Sequence, residues 1–139
     1  MSADFLDSNI LIYQFDRTDP QKRAIAREIV ASALTTRSAM ISYQGVQETL
    51  NVLTRKLPIP MQELDVQDVL NNILIPLMRV MPSAALYTDA LRIAQRFKFS
   101  FYDSLIVAAA LSAGCKRLLT EDMQHGQVID GLRIVNPFI

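Results

Sequence analysis

Phe101-Tyr102-Asp103-Ser104-Leu105-Ile106-Val107-Ala108-Ala109-Ala110-Leu111 is the stretch on which the fold turns. From Leu105 to Leu111 every residue is apolar, so a helix here has no polar face for solvent and is expected to be buried on nearly all sides. Gly114 marks its C-terminal stop, and Arg117-Leu118-Leu119-Thr120 beyond it reads as a strand. On the other side, Ala85 to Phe97 reads as a helix with Leu86, Ala90, Ile93, Ala94 and Phe97 inside and Arg92 and Arg96 outside. Lys98-Phe99-Ser100 connects the two helices, and Arg79-Val80-Met81, ended by Pro82, is a third strand in chain order.

Towards the N-terminus, Phe5-Leu6 and Ile10-Leu11-Ile12-Tyr13 are apolar runs split by Asp7-Ser8-Asn9, the pattern of a buried strand, a turn and a helical turn. Asp19-Pro20 is an N-cap and first helical position, followed by a stripe of Ile25, Ile29 and Ala33 that ends near Ala33 or Leu34. Ala39-Met40-Ile41 is too short for a helix and reads as the second strand. From Tyr43 to Lys56 a helix carries Val46, Leu50, Leu53 and Leu57 on its core stripe and Gln44, Glu48, Asn51 and Arg55 opposite. Pro58 and Pro60 break the pattern, after which Leu64, Leu70, Ile73 and Leu74 support a helix expected to stop before Pro76. Glu121 to Gly126 is a polar loop, and Leu132-Arg133-Ile134-Val135 the last strand. Strands alternating with helices imply an α/β layered domain with a mainly parallel sheet and a ligand site at the C-terminal ends of its strands.

The 139 residues suit one domain, 1–139, and a chain that is 50% hydrophobic and 20% charged is too apolar for disorder. Fourteen basic and 14 acidic residues give a net charge of zero, so any polyanion must be bound by local patches. A single cysteine, Cys115, forms no intrachain disulfide and belongs to no zinc-type cluster; its place after Gly114 suits packing. Met1-Ser2-Ala3-Asp4 does not resemble a secretory signal, and no run approaches the roughly 18 apolar residues of a membrane span. The chain is expected to be cytoplasmic, with no membrane partner.

The strand-end rule selects four acids: Asp7 after the first strand, Glu48 in the helix after the second, Asp103 opening the apolar helix, and Asp122 past the Arg117–Thr120 strand. Carboxylates gathered on one edge repel one another, and oxygen ligands relieved by a cation point to Mg²⁺ or Mn²⁺. Each acid also has a purely structural explanation. Asp103 follows Ser100 at capping-box spacing, Glu48 shares a polar face with Arg55, Asp122 stands beside Glu121 in a loop, and Asp7 suits an Asx-type turn.

Phe5-Leu6-Asp7-Ser8-Asn9-Ile10-Leu11-Ile12-Tyr13 resembles the opening signature of PIN-domain ribonucleases. Gln47-Glu48-Thr49-Leu50-Asn51-Val52-Leu53 looks like that family's acid-bearing helix, Phe101 to Ala110 like its Asp-led buried helix, and Leu118-Leu119-Thr120-Glu121-Asp122-Met123 like its last acidic loop. Four motifs in order span nearly the whole chain, and the resemblance is greatest to the toxins of VapBC-type toxin–antitoxin pairs. It implies a three-layer α/β/α fold with a mainly parallel sheet of about five strands, and a Mg²⁺- or Mn²⁺-dependent endoribonuclease. Asp7, Glu48, Asp103 and Asp122 would be its catalytic, metal-holding quartet. Ser8, Asn9 and Thr120 would support them, by bonding a ligand, fixing the turn or orienting Asp122. Glu121 is a further acid in the last loop. The implied partners are an RNA substrate such as a tRNA or rRNA loop, a small DNA-binding antitoxin and a second copy of the chain.

Phosphate contacts require cations near the acids, and Arg55, Arg17 and Arg23 are the candidates. His125, the only histidine, follows Asp122 closely but fits a polar loop residue better than a catalytic one. A PIN-like module that binds RNA or protein without cleaving is the alternative; the intact quartet argues against it. A phospho-acceptor domain of the receiver or dehalogenase type also puts an Asp after the first strand, but the dehalogenase type needs Asp-x-Asp where Asp7-Ser8-Asn9 stands, and the receiver's acidic pair and late strand-end Lys find no good match.

Overall fold

In the computed structural model, which describes residues 3–139, the first strand, β1 (Asp4–Leu6), lies inside a six-stranded sheet. Successive side chains of a strand point to opposite faces. Phe5 accordingly enters one helical layer and Leu6 the other, both fully buried. β1 pairs in parallel with β2 (Ala39–Ser42) and with β4 (Arg117–Leu119). β3 (Met78–Val80) lies parallel to β2, and β6 (Leu132–Val135) parallel to β4. A short β5 (Val128–Ile129) runs antiparallel on β6, giving the order β3-β2-β1-β4-β6-β5. The chain leaves β1 for β2 on one side and returns to β4 on the other. Such a reversal opens a crevice at the strands' C-terminal ends. Asp7 and Asp122 follow the two strands that border it.

One layer contains α1 (Ser8–Tyr13), α2 (Pro20–Thr36), α3 (Tyr43–Asn51) and α4 (Glu63–Val69). Ile10, Leu11, Val30, Leu53 and Leu74 pack there with Leu6 and Ile41. The other layer pairs α6 (Ala84–Phe97) with α7 (Phe101–Ser112) over Phe5, Leu118 and Ile134, and lies across the sheet from α5 (Ile75–Leu77). The fold is therefore α/β/α with a mainly parallel sheet. α7 is buried without a break from Ser104 to Ala110, as its all-apolar sequence requires.

Three local expectations need correction. Pro76 does not end the helical run: from Leu70 to Leu74 the turns widen to π geometry, with the Ile75 N–H bonded to the Leu70 carbonyl. Pro76 then falls in the first turn of α5, where a missing N–H costs nothing. Leu64 is 75% exposed, and Val66 and Val69 take the core positions assigned to it. Gln44, placed on the polar face, is buried in the first turn of α3, while Glu48, Asn51 and Arg55 do face solvent. Among the described residues, no helix is long and apolar enough to cross a membrane.

Candidate functional site

Asp7 is where β1 becomes α1. Its backbone N–H is bonded to the Leu119 carbonyl, continuing the β1–β4 pairing. Its carboxylate caps α1, accepting the Ser8 N–H at 2.7 Å. Thr120, fully buried just past β4, donates its hydroxyl to Asp7 Oδ2 at 2.7 Å and accepts the Asp122 N–H at 3.1 Å. One hydroxyl thus ties two of the acids together. Asn9 adds a second tie: its Nδ2 donates to Asp122 Oδ2 at 3.1 Å and lies 3.5 Å from Asp7 Oδ2. Asn9 Oδ1 is buried with no hydrogen-bond partner among the described residues.

Glu48 arrives from α3, whose start is capped by Ser42 accepting the Gly45 N–H. Asp103 arrives from the first turn of α7, capped by Ser100 accepting the Asp103 N–H at 3.2 Å. Only this half of the expected capping box forms. Among the described residues, the Ser100 N–H donates no hydrogen bond to the Asp103 carboxylate, so that carboxylate is not committed to the cap.

The four acids lie in one another's field. Burial pushes the Asp7 carboxyl above its usual range; the bonds from Thr120 and Ser8 oppose this, and the charges of Asp122 and Asp103 add to it. Glu48 exposes much of its surface, yet desolvation of its carboxyl, followed by the charge of Asp7, raises its pKa too. The nearby Ser8 hydroxyl works against that rise, while Asp122 and Asp103 reinforce it. The ion pairs of the described residues, Lys22–Glu121, Arg92–Asp89, Arg96–Asp130 and Arg117–Asp4, all involve other carboxylates. The edge is therefore acidic and uncompensated. Among the described residues, no three Asp, Glu, His or Cys side chains stand close enough to share an ion. Without a counter-charge, repulsion favours separation, and the neutral Asn9 amide bridges Asp7 and Asp122. The residue set fits a hard divalent cation, which would relieve that repulsion with oxygen ligands.

Two of the three candidate cations border the same cavity. Arg17 and Arg23 line a cavity of about 550 Å³ with Arg27, Phe15, Leu57 and Met61, whereas Arg55 is exposed in the π-helical turn Val52–Lys56. His125 accepts the Asn136 N–H at its Nδ1, 3.0 Å, and so fastens the loop to the C-terminal segment. Cys115 is buried, and burial pushes its thiol up to about 11, in keeping with packing. Glu121 is fully engaged: its carboxylate accepts from the Tyr13 hydroxyl and, at 2.9 Å, from Lys22 Nζ. No local signal marks Tyr13 and Lys22 as its partners, because roughly a hundred residues of chain separate them from Glu121.

Fold and edge together define a three-layer α/β/α protein with an acidic crevice at the switch point of a parallel sheet. Residues 5–129 match the PIN domain family model, and the chain belongs to that family. Its fold is similar to that of a toxin–antitoxin complex chain from Klebsiella pneumoniae, at a TM-score of 0.70 and 21% identity, over 97% of this chain and 98% of that one. A chain of a DNA-bound VapBC complex from Salmonella typhimurium is similar at 0.66 and 19% identity, over 96% and 97%. A VapC toxin of Mycobacterium tuberculosis that cleaves the sarcin–ricin loop is similar at 0.61 and 16% identity, over 84% and 87%. No curated protein matches the sequence.

Proposed function

We propose that this chain is a divalent-metal-dependent endoribonuclease and the toxin of a toxin–antitoxin pair. The observation that carries the reading is the acidic edge: the charges of Asp103 and Asp122 bear on Asp7 and Glu48, that of Asp7 bears on Glu48, and none of the four is paired with a cation among the described residues. PIN-family membership and the toxins among the structural neighbours support it.

The four acids would hold Mg²⁺ or Mn²⁺, some directly and some through water, as Mg²⁺ retains several waters. When bound, the ion lowers the pKa of a water and stabilises charge on the phosphoryl oxygens. Thr120 and Ser8 hold the Asp7 carboxylate in one orientation, and Thr120 sets the Asp122 backbone. Arg17, Arg23 and Arg55 are the candidate contacts for RNA phosphates on either side of the scissile bond. A small antitoxin that lays an Arg or Lys among the acids would supply the compensation they lack, and the chain would work as a homodimer in the cytoplasm.

A non-cleaving module has one observation in its favour, the spacing that leaves no three acids within reach of one ion. Cleavage of RNA by the wild type, Asp7→Asn and Asp103→Asn in Mg²⁺ or Mn²⁺, with and without EDTA, separates the two. The expected result is cleavage by the wild type only, abolished by EDTA. Unchanged cleavage by both variants sinks the nuclease mechanism, and metal-replete wild type that binds RNA without cutting it establishes the module.

A further inference from the structure

Asp122 belongs to a loop without regular structure, yet it must keep a set distance from Asp7, which caps a helix. Glu121, its neighbour, gives one carboxylate oxygen to the Tyr13 hydroxyl and the other to Lys22 Nζ at 2.9 Å. Lys22 Nζ also lies 3.4 Å from the Tyr13 hydroxyl and 4.9 Å from the centre of its ring. Phe138 closes the group, edge-on to Tyr13 at 5.0 Å and 5.7 Å from Lys22 Nζ. The ion pair is largely covered, with side chains 33% and 21% exposed, unlike the freely solvated pairs that contribute little. Tyr13 ends α1, the same six-residue helix that Asp7 caps. A helix of that length is a stiff strut of about 9 Å at 1.5 Å per residue. Its first end carries Asp7, and its last end grips the residue beside Asp122.

We propose that Tyr13, Lys22 and Glu121 form a positioning clamp that sets the separation of Asp122 from Asp7. The clamp makes Glu121 a brace and not a ligand, and its consequence for metal binding rests on the function proposed above. Coulomb's law and the clamp predict opposite effects for one substitution. Lys22→Met leaves the Glu121 carboxylate, next to Asp122, without its cation, so charge alone tightens binding of a metal ion, whereas a loosened Asp122 weakens it.

The test uses the full chain with Mn²⁺ alone, its free concentration read by electron paramagnetic resonance. It also follows hydrogen exchange of the Asp122 amide, bonded to Thr120 Oγ1, in metal-free protein. For Lys22→Met, Mn²⁺ binding weaker by about 10-fold is expected, the lower end for loss of a group that orients a ligand, together with faster exchange at Asp122. Lys22→Arg, which keeps charge and donor, is expected to remain near wild type, and Tyr13→Phe, which keeps the ring, to repeat the loss. Equal or tighter Mn²⁺ binding by Lys22→Met, or equal losses in Lys22→Arg and Lys22→Met, overturns the clamp. Wild type that binds no Mn²⁺ refutes the metal site instead. Exchange then decides alone, faster Asp122 exchange in Tyr13→Phe upholding the clamp and unchanged exchange overturning it.

Discussion

Asp7 is held by donors from Ser8 and Thr120 against burial and two neighbouring acids, and burial prevails, so its carboxyl stays above the ordinary value of 3.8. As pH rises past 3.8 the unfolded chain releases this proton first, and the native state loses stability relative to it until Asp7 ionises in the fold as well. In metal-free protein, the melting temperature of Asp7→Asn is therefore expected to gain on that of the wild type as pH rises from about 4 towards 7. A constant difference across that range contradicts the buried charge. At pH 7, Mn²⁺ at a hundred times its Kd is expected to stabilise the wild type by about 2.7 kcal/mol, and Asp7→Asn far less. Thr120 is the second residue to test. Thr120→Val removes its bonds to Asp7 and Asp122, and a 10- to 100-fold loss of cleavage is expected. Thr120→Ser, which keeps the hydroxyl, should restore most of it, and equal activity in both variants would show that the hydroxyl does not position the acids. Asp7 and Asp122 were legible because they end strands and so must reach the sheet's ligand edge. The hold of Thr120 on Asp122 agrees with the family resemblance, but the bond from Thr120 to Asp7 and the bridge by Asn9 are not legible, since they depend on which strands lie side by side.

At the scale of elements, the sequence is most transparent where one physical demand dominates. The unbroken apolar run of α7 requires burial, and the structure buries it. Pro20 after Asp19 opens α2, and Asp19 accepts the Lys22 N–H as its cap. Legibility fails where two demands compete. Pro76 reads as a stop, but the widened turn before it places it where its missing N–H is harmless. β5 is not legible in the sequence because two residues carry no periodicity, although Asp130-Gly131 is a strong two-residue hairpin signal, and both residues adopt positive φ, 50° and 88°. Gly131→Ala is expected to destabilise the fold by roughly 1–2 kcal/mol, the cost of a side chain in the left-handed region, without changing cleavage per folded molecule. Denaturant unfolding beside an RNA cleavage assay checks this, and an unchanged midpoint contradicts the turn's role.

Over the whole molecule, zero net charge conceals a division. The ion pairs of the described residues neutralise acids elsewhere, and the crevice keeps its own uncompensated. Such an edge repels RNA until a cation enters it, so a nuclease of this design should neither bind RNA tightly nor cut it without metal. The motif order along the chain made the family legible, while the cations offered no comparable signal. Arg17 and Arg23 line one cavity, whereas Arg55 is exposed in the π-helical turn nearby in sequence. The central claim is that these acids hold an ion that directs water at the RNA backbone, and the ends of the RNA fragments test it most directly. Fragments made in Mg²⁺ should carry 5′-phosphate and 3′-hydroxyl ends, because water and not the ribose 2′-hydroxyl attacks the phosphorus. Cyclic 2′,3′-phosphate ends, formed as readily in EDTA as in Mg²⁺, would contradict it.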